Sequence, residues 1–376
     1  MQYKQVVIKR LGGLRRESME DWGVTLFDGV AKFISPTMVE LGSGERLTAD
    51  KIIIATGGQP IMPRIAGIGH AITSKEVLSL PKLPESMLVV GTGYIGMEFA
   101  SIYSALGTKV IAVSRGPEHM SNLSRDAAET VQKYLENKGV EFLTDSELTK
   151  IDSKQGSKQA VVKTPSGEKT FEVEEVLVAI GRKPDTKELG LDKAGVELDE
   201  QGFIKTNKFY QTTQKNIYAV GDVIGEPQLT AKANYDGDLA VLNAYAEKPT
   251  PRDYSVVSYV EYTMPVSASV GVIKSDGDTG FMKVPYNRLP AGNATGKIEG
   301  YIKLFFNRKT DQIVGGEIVG EHADELINSF AFAVKAKMTR EQVNEVLVFH
   351  PSFAEGLKFA SRGEIIGHQD DKSCCG

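Results

Sequence analysis

Leu88–Val89–Val90 runs straight into Gly91-x-Gly93-x-x-Gly96, and Lys109–Val113 follows after a helical stretch. A short apolar run, a glycine-spaced turn, a helix and a second apolar run leave a chain few choices. The order predicts strand, turn, helix and parallel strand, the opening of a dinucleotide-binding unit. Each glycine has its own reason. Gly91 permits the tight turn, Gly93 lets the backbone approach a pyrophosphate, and Gly96 lets helix and strand pack closely. The helix N-terminus adds free N–H groups and partial positive charge for phosphates. The glycine spacing alone is weak, but flanking strands at this spacing make it a strong sign. Ile95, Phe99, Ile102, Tyr103 and Leu106 form the expected apolar face of the helix.

The end of the second strand decides which dinucleotide fits. An NAD site wants an acid there, to accept hydrogen bonds from the ribose 2′-OH. This chain has Ser114 and then Arg115. A carboxylate would repel a 2′-phosphate, whereas a guanidinium binds it bidentately. NADPH is therefore expected over NADH; the plainer alternative is that Arg115 is a solvated surface residue.

Composition narrows the class. With 376 residues the chain is too long for one ordinary core, and its 41% hydrophobic and 25% charged residues are those of a globular protein. A net charge of −5 gives no electrostatic reason to expect nucleic acid. No apolar run is long enough to span a bilayer, and the polar segment after Met1 does not read as a secretory signal. Cys374 and Cys375, the only cysteines, exclude a disulfide framework. A cytoplasmic protein is expected.

Residues 1–85 open with a polar helical stretch, followed by short strands around Gly29–Ala31, Met38–Leu41 and Lys51–Thr56. Residues 86–206 show the α/β pattern, 207–245 form a link, and 246–376 read as a mixed α+β unit. In the last unit Tyr301–Phe306 and Ile313–Val319 predict a hairpin. Leu326, Ile327, Phe330, Ala331, Val334 and Met338 predict one helical face, and Thr339 with Gln342 a capping box.

An internal repeat runs through the first two regions. A Ser43–Gly44–Glu45 turn between strands leads to Ile52–Ile53–Ile54–Ala55–Thr56–Gly57 and Pro60. A Ser166–Gly167–Glu168 turn between strands leads to Leu177–Val178–Ala179–Ile180–Gly181 and Pro184. Two copies of one nucleotide-binding plan are expected. The separation of Gly91 from Gly181, counted back from Gly57, falls ahead of Met1. The first copy thus has exit strands without a glycine loop, and a truncated chain is expected.

These residues resemble the class I pyridine nucleotide–disulfide oxidoreductases, over nearly the whole chain. Thr56–Gly57 is similar to the family's flavin-domain exit, Gly91–Glu98 to its nicotinamide motif, and Gly181–Arg182-x-Pro184 to the second exit. Ile217–Asp222 resembles the second flavin motif, which implies that Gly221 and Asp222 bind FAD, with Asp222 on the ribityl chain. Tyr94 resembles the tyrosine covering the nicotinamide pocket, and Glu98 the acid near the flavin. Tyr262–Thr263-x-Pro265 and Gly271 resemble the start of the dimerisation domain. His350–Pro351–Ser352 with Glu355 resembles that domain's catalytic pair, the His serving as general acid/base and the Glu orienting it. His70, His119, His322 and His368 lack such a context.

The resemblance implies two Rossmann-like nucleotide-binding domains, the first incomplete, plus a C-terminal α+β dimerisation domain. On it, 1–85 and 207–245 are flavin-domain segments, 86–206 bind NAD(P), and 246–376 form the interface with a Cys-Cys tail. FAD and NADPH are the implied cofactors and a homodimer the implied assembly. The family passes hydride from nicotinamide to FAD and then electrons to a Cys-x-x-x-x-Cys disulfide, a spacing this chain does not contain. The closing Ser-Cys-Cys-Gly is similar to the tail with which mercuric reductases hand over Hg(II), and thiolates suit soft metals. Mercuric reductases, however, usually have Tyr where His350 stands. Other readings of Cys374 and Cys375 are a plain tail or prenylation, the latter disfavoured by Gly376. The competing reading of the whole is a remnant that binds NADPH or metal and dimerises without turnover.

Overall fold

The computed structural model describes residues 2–120, 123–154 and 156–363. The chain forms two compact units, one of Met1–Ile61, Lys75–Lys82 and Gly181–Arg252, the other of Met62–Ser74, Leu83–Ile180 and Asp253–Gly376.

The first unit opens with α1 (Gln2–Asp21), the helix its sequence predicts, polar on balance but with Tyr3, Val6, Ile8, Leu11 and Leu14 exposed on it. Three strands, β1 (Ala31–Ser35), β2 (Met38–Leu41) and β3 (Arg46–Thr48), form an antiparallel meander. The first begins at Ala31 rather than Gly29, because its partner strand ends at Leu41 opposite Ala31. Next, β4 (Ile52–Ile54) lies parallel to β14 (Ile217–Ala219). Phe33, Ile54, Ile217, Ala219 and Val223 fill the core between these strands and α5 (Leu191–Ala194). Two short strands, β5 (Gly58–Pro60) and β13 (Arg182–Pro184), pair antiparallel, and α6 (Thr230–Tyr245) follows the loop after β14. The helical turn α2 (Ser74–Val77) spans the boundary between the units.

The second unit holds a four-stranded parallel sheet in the order β12 (Glu175–Val178), β6 (Ser86–Val90), β7 (Lys109–Val113), β8 (Glu141–Leu143). Met87, Leu88 and Val89 of β6 are fully buried, the signature of a strand covered on both faces. Each such side chain contributes about 1.5–3 kcal/mol through burial. Helix α3 (Tyr94–Ala105) links β6 to β7, and α4 (Arg125–Asn137) links β7 to β8. A second antiparallel meander, β9 (Glu147–Lys154), β10 (Ser157–Thr164) and β11 (Gly167–Val173), precedes β12. The repeat is therefore structural: each copy is a three-stranded meander, a parallel strand and a ribbon strand.

The face of α3 differs from expectation. Gly96, Met97, Phe99, Ala100, Ser101 and Tyr103 are buried, whereas Ile102 and Leu106 are exposed. The reason is steric. A Cβ on Gly96 would lie 1.9 Å from the Gly91 carbonyl oxygen, so the helix touches the turn at Gly96. Ala100 and Tyr103 follow on that row, which leaves Ile102 and Leu106 on the outward side.

The remaining sheet has the order β15 (Ser258–Glu261), β16 (Ser267–Gly271), β19 (Ile313–Val319), β18 (Tyr301–Asn307), β17 (Thr279–Pro285). The hairpin predicted from sequence is β18–β19. A short helix α7 (Pro290–Thr295) precedes it, and α8 (Ala323–Lys335) buries Ile327 and Phe330. Met338 lies past the end of α8 but packs on the same core. Thr339 and Gln342 form the capping box of α9 (Arg340–Glu345), and α10 (Glu355–Arg362) ends the described chain.

Gly96→Ala drives a methyl group into backbone and should destabilise the chain by about 1–3 kcal/mol, read as a lowered midpoint in denaturant titration.

Candidate functional site

Three loops collect the residues that the sequence singles out. At the first, Gly91 has φ +103°, and a Cβ there would lie 2.3 Å from the Ala179 carbonyl oxygen. Nothing lies within 4 Å of the Cβ position at Gly93, so the loop is open at that point. Gly93 is the N-cap of α3 and supplies no side-chain cap, which leaves the helix's first N–H groups for another acceptor. A closed turn, an open face and an uncapped twelve-residue helix fit a dinucleotide pyrophosphate.

At the end of β7, Ser114 is buried and its hydroxyl lies 3.1 Å from the Gly116 carbonyl oxygen and 3.2 Å from that of Glu118. Its hydroxyl thus donates inward and shapes the turn. Arg115 is exposed beside it. Tyr94, in the first turn of α3, is partly exposed. Glu98, one turn on, accepts the Tyr262 N–H at 2.9 Å. Burial raises the Glu98 carboxyl above its ordinary value, and the Tyr262 hydrogen bond opposes that rise.

The second loop cluster brings together six residues from three distant stretches of the sequence: Thr56, Gly57, Gly181, Arg182, Gly221 and Asp222. Thr56 Oγ1 donates to the Asp185 carbonyl oxygen at 2.8 Å, and the Asp185 N–H donates to the Gly57 carbonyl at 3.0 Å. Gly181 accepts the Ile61 N–H at 3.0 Å, which continues the β5–β13 ribbon. The Arg182 guanidinium donates to the Gly58 carbonyl and lies 3.6 Å from the Asp222 carboxylate. Asp222 sits in the first turn of a short 3-10 helix opened by Gly221. The Cβ position of Gly57 has nothing within 4 Å, and α6 has no side-chain cap at its N-terminus. An open glycine, a carboxylate held by an arginine and uncapped N–H groups fit the polar chain and phosphates of a flavin dinucleotide.

The third loop precedes α10. His350 Nδ1 lies 2.9 Å from Glu355 Oε1, and Glu355 Oε2 accepts the Ser352 N–H at 2.9 Å. Glu355 is only 9% exposed in its side chain, whereas that of His350 is 66% exposed. A buried carboxylate therefore fixes an outward-facing ring.

Cys374, Cys375 and His368 lie outside the described residues. Among the described residues no group of three or more His, Cys, Asp or Glu could hold a metal ion, and no helix is long and apolar enough to cross a membrane. Sequence reasoning missed Lys232 and Asp236, an ion pair at 2.8 Å whose side chains are 2% and 0% exposed. Their spacing on a helix reads as a solvated surface pair, and only their burial reveals otherwise.

Residues 7–237 match the pyridine nucleotide-disulphide oxidoreductase family, and residues 257–361 match its dimerisation domain. The chain is 32% identical to a mercuric reductase of Lysinibacillus sphaericus over 91% of its own length, and spans 64% of that relative. It is 31% identical to a glutathione reductase of Burkholderia cepacia over 94% of its length, spanning 79% of that protein. Among solved structures, the HOCl-induced flavoprotein disulfide reductase RclA of Escherichia coli superposes with a TM-score of 0.90 at 26% identity, covering 96% of this chain and 84% of that one. Motifs, loop geometry and these similarities agree: the chain belongs to the pyridine nucleotide-disulphide oxidoreductase family.

Proposed function

We propose that this chain works as a homodimeric, FAD-dependent oxidoreductase that uses NADPH to reduce a disulfide or a thiol-bound metal ion, Hg(II) being one such substrate. When bound, the two cofactors supply the redox chemistry, the nicotinamide as hydride donor and the flavin as electron carrier. In this reading 1–85 and 207–245 belong to the flavin-binding domain, 86–206 to the NAD(P)-binding domain and 246–376 to the dimer interface, all in the cytoplasm. Gly91, Gly93 and Gly96 hold the nicotinamide dinucleotide's pyrophosphate, Tyr94 covers its ring pocket, and Glu98 is a further cofactor-binding residue. Ser114 shapes the turn that presents Arg115 to a 2′-phosphate. Thr56, Gly57, Gly181, Arg182, Gly221 and Asp222 hold the flavin dinucleotide.

The observation that carries this reading is the His350–Glu355 pair. Reducing a disulfide releases a thiolate that needs a proton. The Glu355 bond at Nδ1 leaves Nε2 as the nitrogen that can exchange a proton with substrate. That role favours a disulfide slightly over Hg(II). Cys374 and Cys375 are the soft ligands suited to delivering a metal ion if the acceptor is one. A second reading rests on the absence of any other cysteine in the sequence: the chain binds NADPH or metal and dimerises without turnover.

An absorbance spectrum of the purified chain decides between the two. Stoichiometric FAD that bleaches on adding NADPH is the expected result; a colourless protein that takes up no FAD leaves the second reading. Arg115→Ala should weaken NADPH binding about tenfold or more while NADH binding stays unchanged, as titrations of each cofactor will report. His350→Ala should lower turnover with a disulfide substrate by about 10²–10⁴-fold without releasing FAD.

A further inference from the structure

Two buried charges converge on one glycine. The Gly221 N–H donates to Asp236 Oδ2 at 3.0 Å, and Lys232 Nζ donates to the Gly221 carbonyl oxygen at 2.9 Å. Asp236 Oδ1 accepts the Tyr210 hydroxyl at 2.8 Å. Tyr210 is itself fully buried, and its carbonyl accepts the Ala219 N–H at 3.0 Å. The C-terminal end of β14 and the residue two beyond it are thus tied to the same network, Ala219 through Tyr210 and Gly221 directly.

A buried ion pair is a poor way to gain stability, because desolvating two charges offsets most of their attraction. An apolar pair would serve the packing of α6 as well. What an apolar pair cannot do is hold one residue by both its N–H and its C=O, and so fix the peptide groups on either side of it. Gly221 needs such a hold. It has φ +74°, and a Cβ there would lie 3.3 Å from Ala233 Cβ, so the backbone is pressed against α6 in the left-handed region. The next residue is Asp222, whose carboxylate faces Arg182.

We infer that Lys232 and Asp236 are positioning residues: they clamp Gly221 through the peptide groups on either side of it and so fix the direction in which Asp222 presents its carboxylate to the flavin's polar chain. The flavin part rests on the function proposed above; the clamp itself does not. Neither residue touches the ligand. Both act through the backbone of one residue, Gly221, which makes FAD affinity sensitive to two buried side chains.

The test combines amide hydrogen exchange with FAD binding, using the full chain. Asp236→Asn, and separately Lys232→Met, should speed exchange at Gly221 by at least about tenfold while the β18–β19 hairpin stays protected. Each should also weaken FAD binding about tenfold, as Asp222→Ala does. In the Asp222→Ala background, Asp236→Asn should add less than about twofold, because both changes remove the same contact. If either single variant fails to fold, the paired change Lys232→Met with Asp236→Leu removes both charges together and leaves none unpaired. Unchanged exchange at Gly221 overturns the clamp. FAD losses that multiply fully in the double variant overturn its action through Asp222. An Asp222→Ala chain that binds FAD as wild type does, or a wild type that takes up none, overturns the flavin reading, and Gly221 exchange then still decides the clamp.

Discussion

Helix α3 can reach the turn after β6 only because Gly96 has no side chain. With its Cβ position 1.9 Å from the Gly91 carbonyl oxygen, any larger residue would lift the helix from the sheet. The rest of the nicotinamide unit depends on that contact. It selects which row of α3 is buried, it aims the helix N-terminus along the opening at Gly93, and it lets β6 lie fully covered between β12 and β7. Close packing at this turn is thus the result of one missing methyl group.

The first unit is organised by pairing between the two copies of the repeat. β5 closes one copy and β13 the other, and Arg182 lies opposite Pro60 in the ribbon they form. That register puts the Arg182 guanidinium beside the Gly58 carbonyl and the Asp222 carboxylate. Two exit motifs that look redundant in sequence thus build one side of a single loop cluster.

A common device recurs at the three loops. Glu98 accepts the Tyr262 N–H, Asp236 that of Gly221, and Glu355 that of Ser352. In each case a wholly or partly buried carboxylate fixes a backbone donor beside residues of the proposed sites. A charge-assisted bond to the backbone is stronger than a neutral one and cannot rotate away as a side-chain pair can.

Much of this was legible in the sequence. The glycine spacing, the apolar strands around it, the β18–β19 hairpin and the Thr339–Gln342 capping box are local patterns whose cause lies within a few residues. The paired Ser-Gly-Glu turns exposed the duplication because equal turns need equal residues. The placement of His350 against Glu355 followed from a short motif, and both lie in one loop and the helix after it. What the tertiary structure decided were the non-local matters. Hydrophobicity put Ile102 and Leu106 inside, but the steric contact at Gly96 turned them out. Ser114 stands in sequence only as the residue before Arg115, and the packed turn shows where its hydroxyl donates, to the Gly116 and Glu118 carbonyls. Lys232 and Asp236 looked like a solvated pair, and burial against a distant glycine made them a clamp. A sequence displays spacing and polarity; which face meets which neighbour depends on how closely two backbones can approach, and that is settled only when the elements pack.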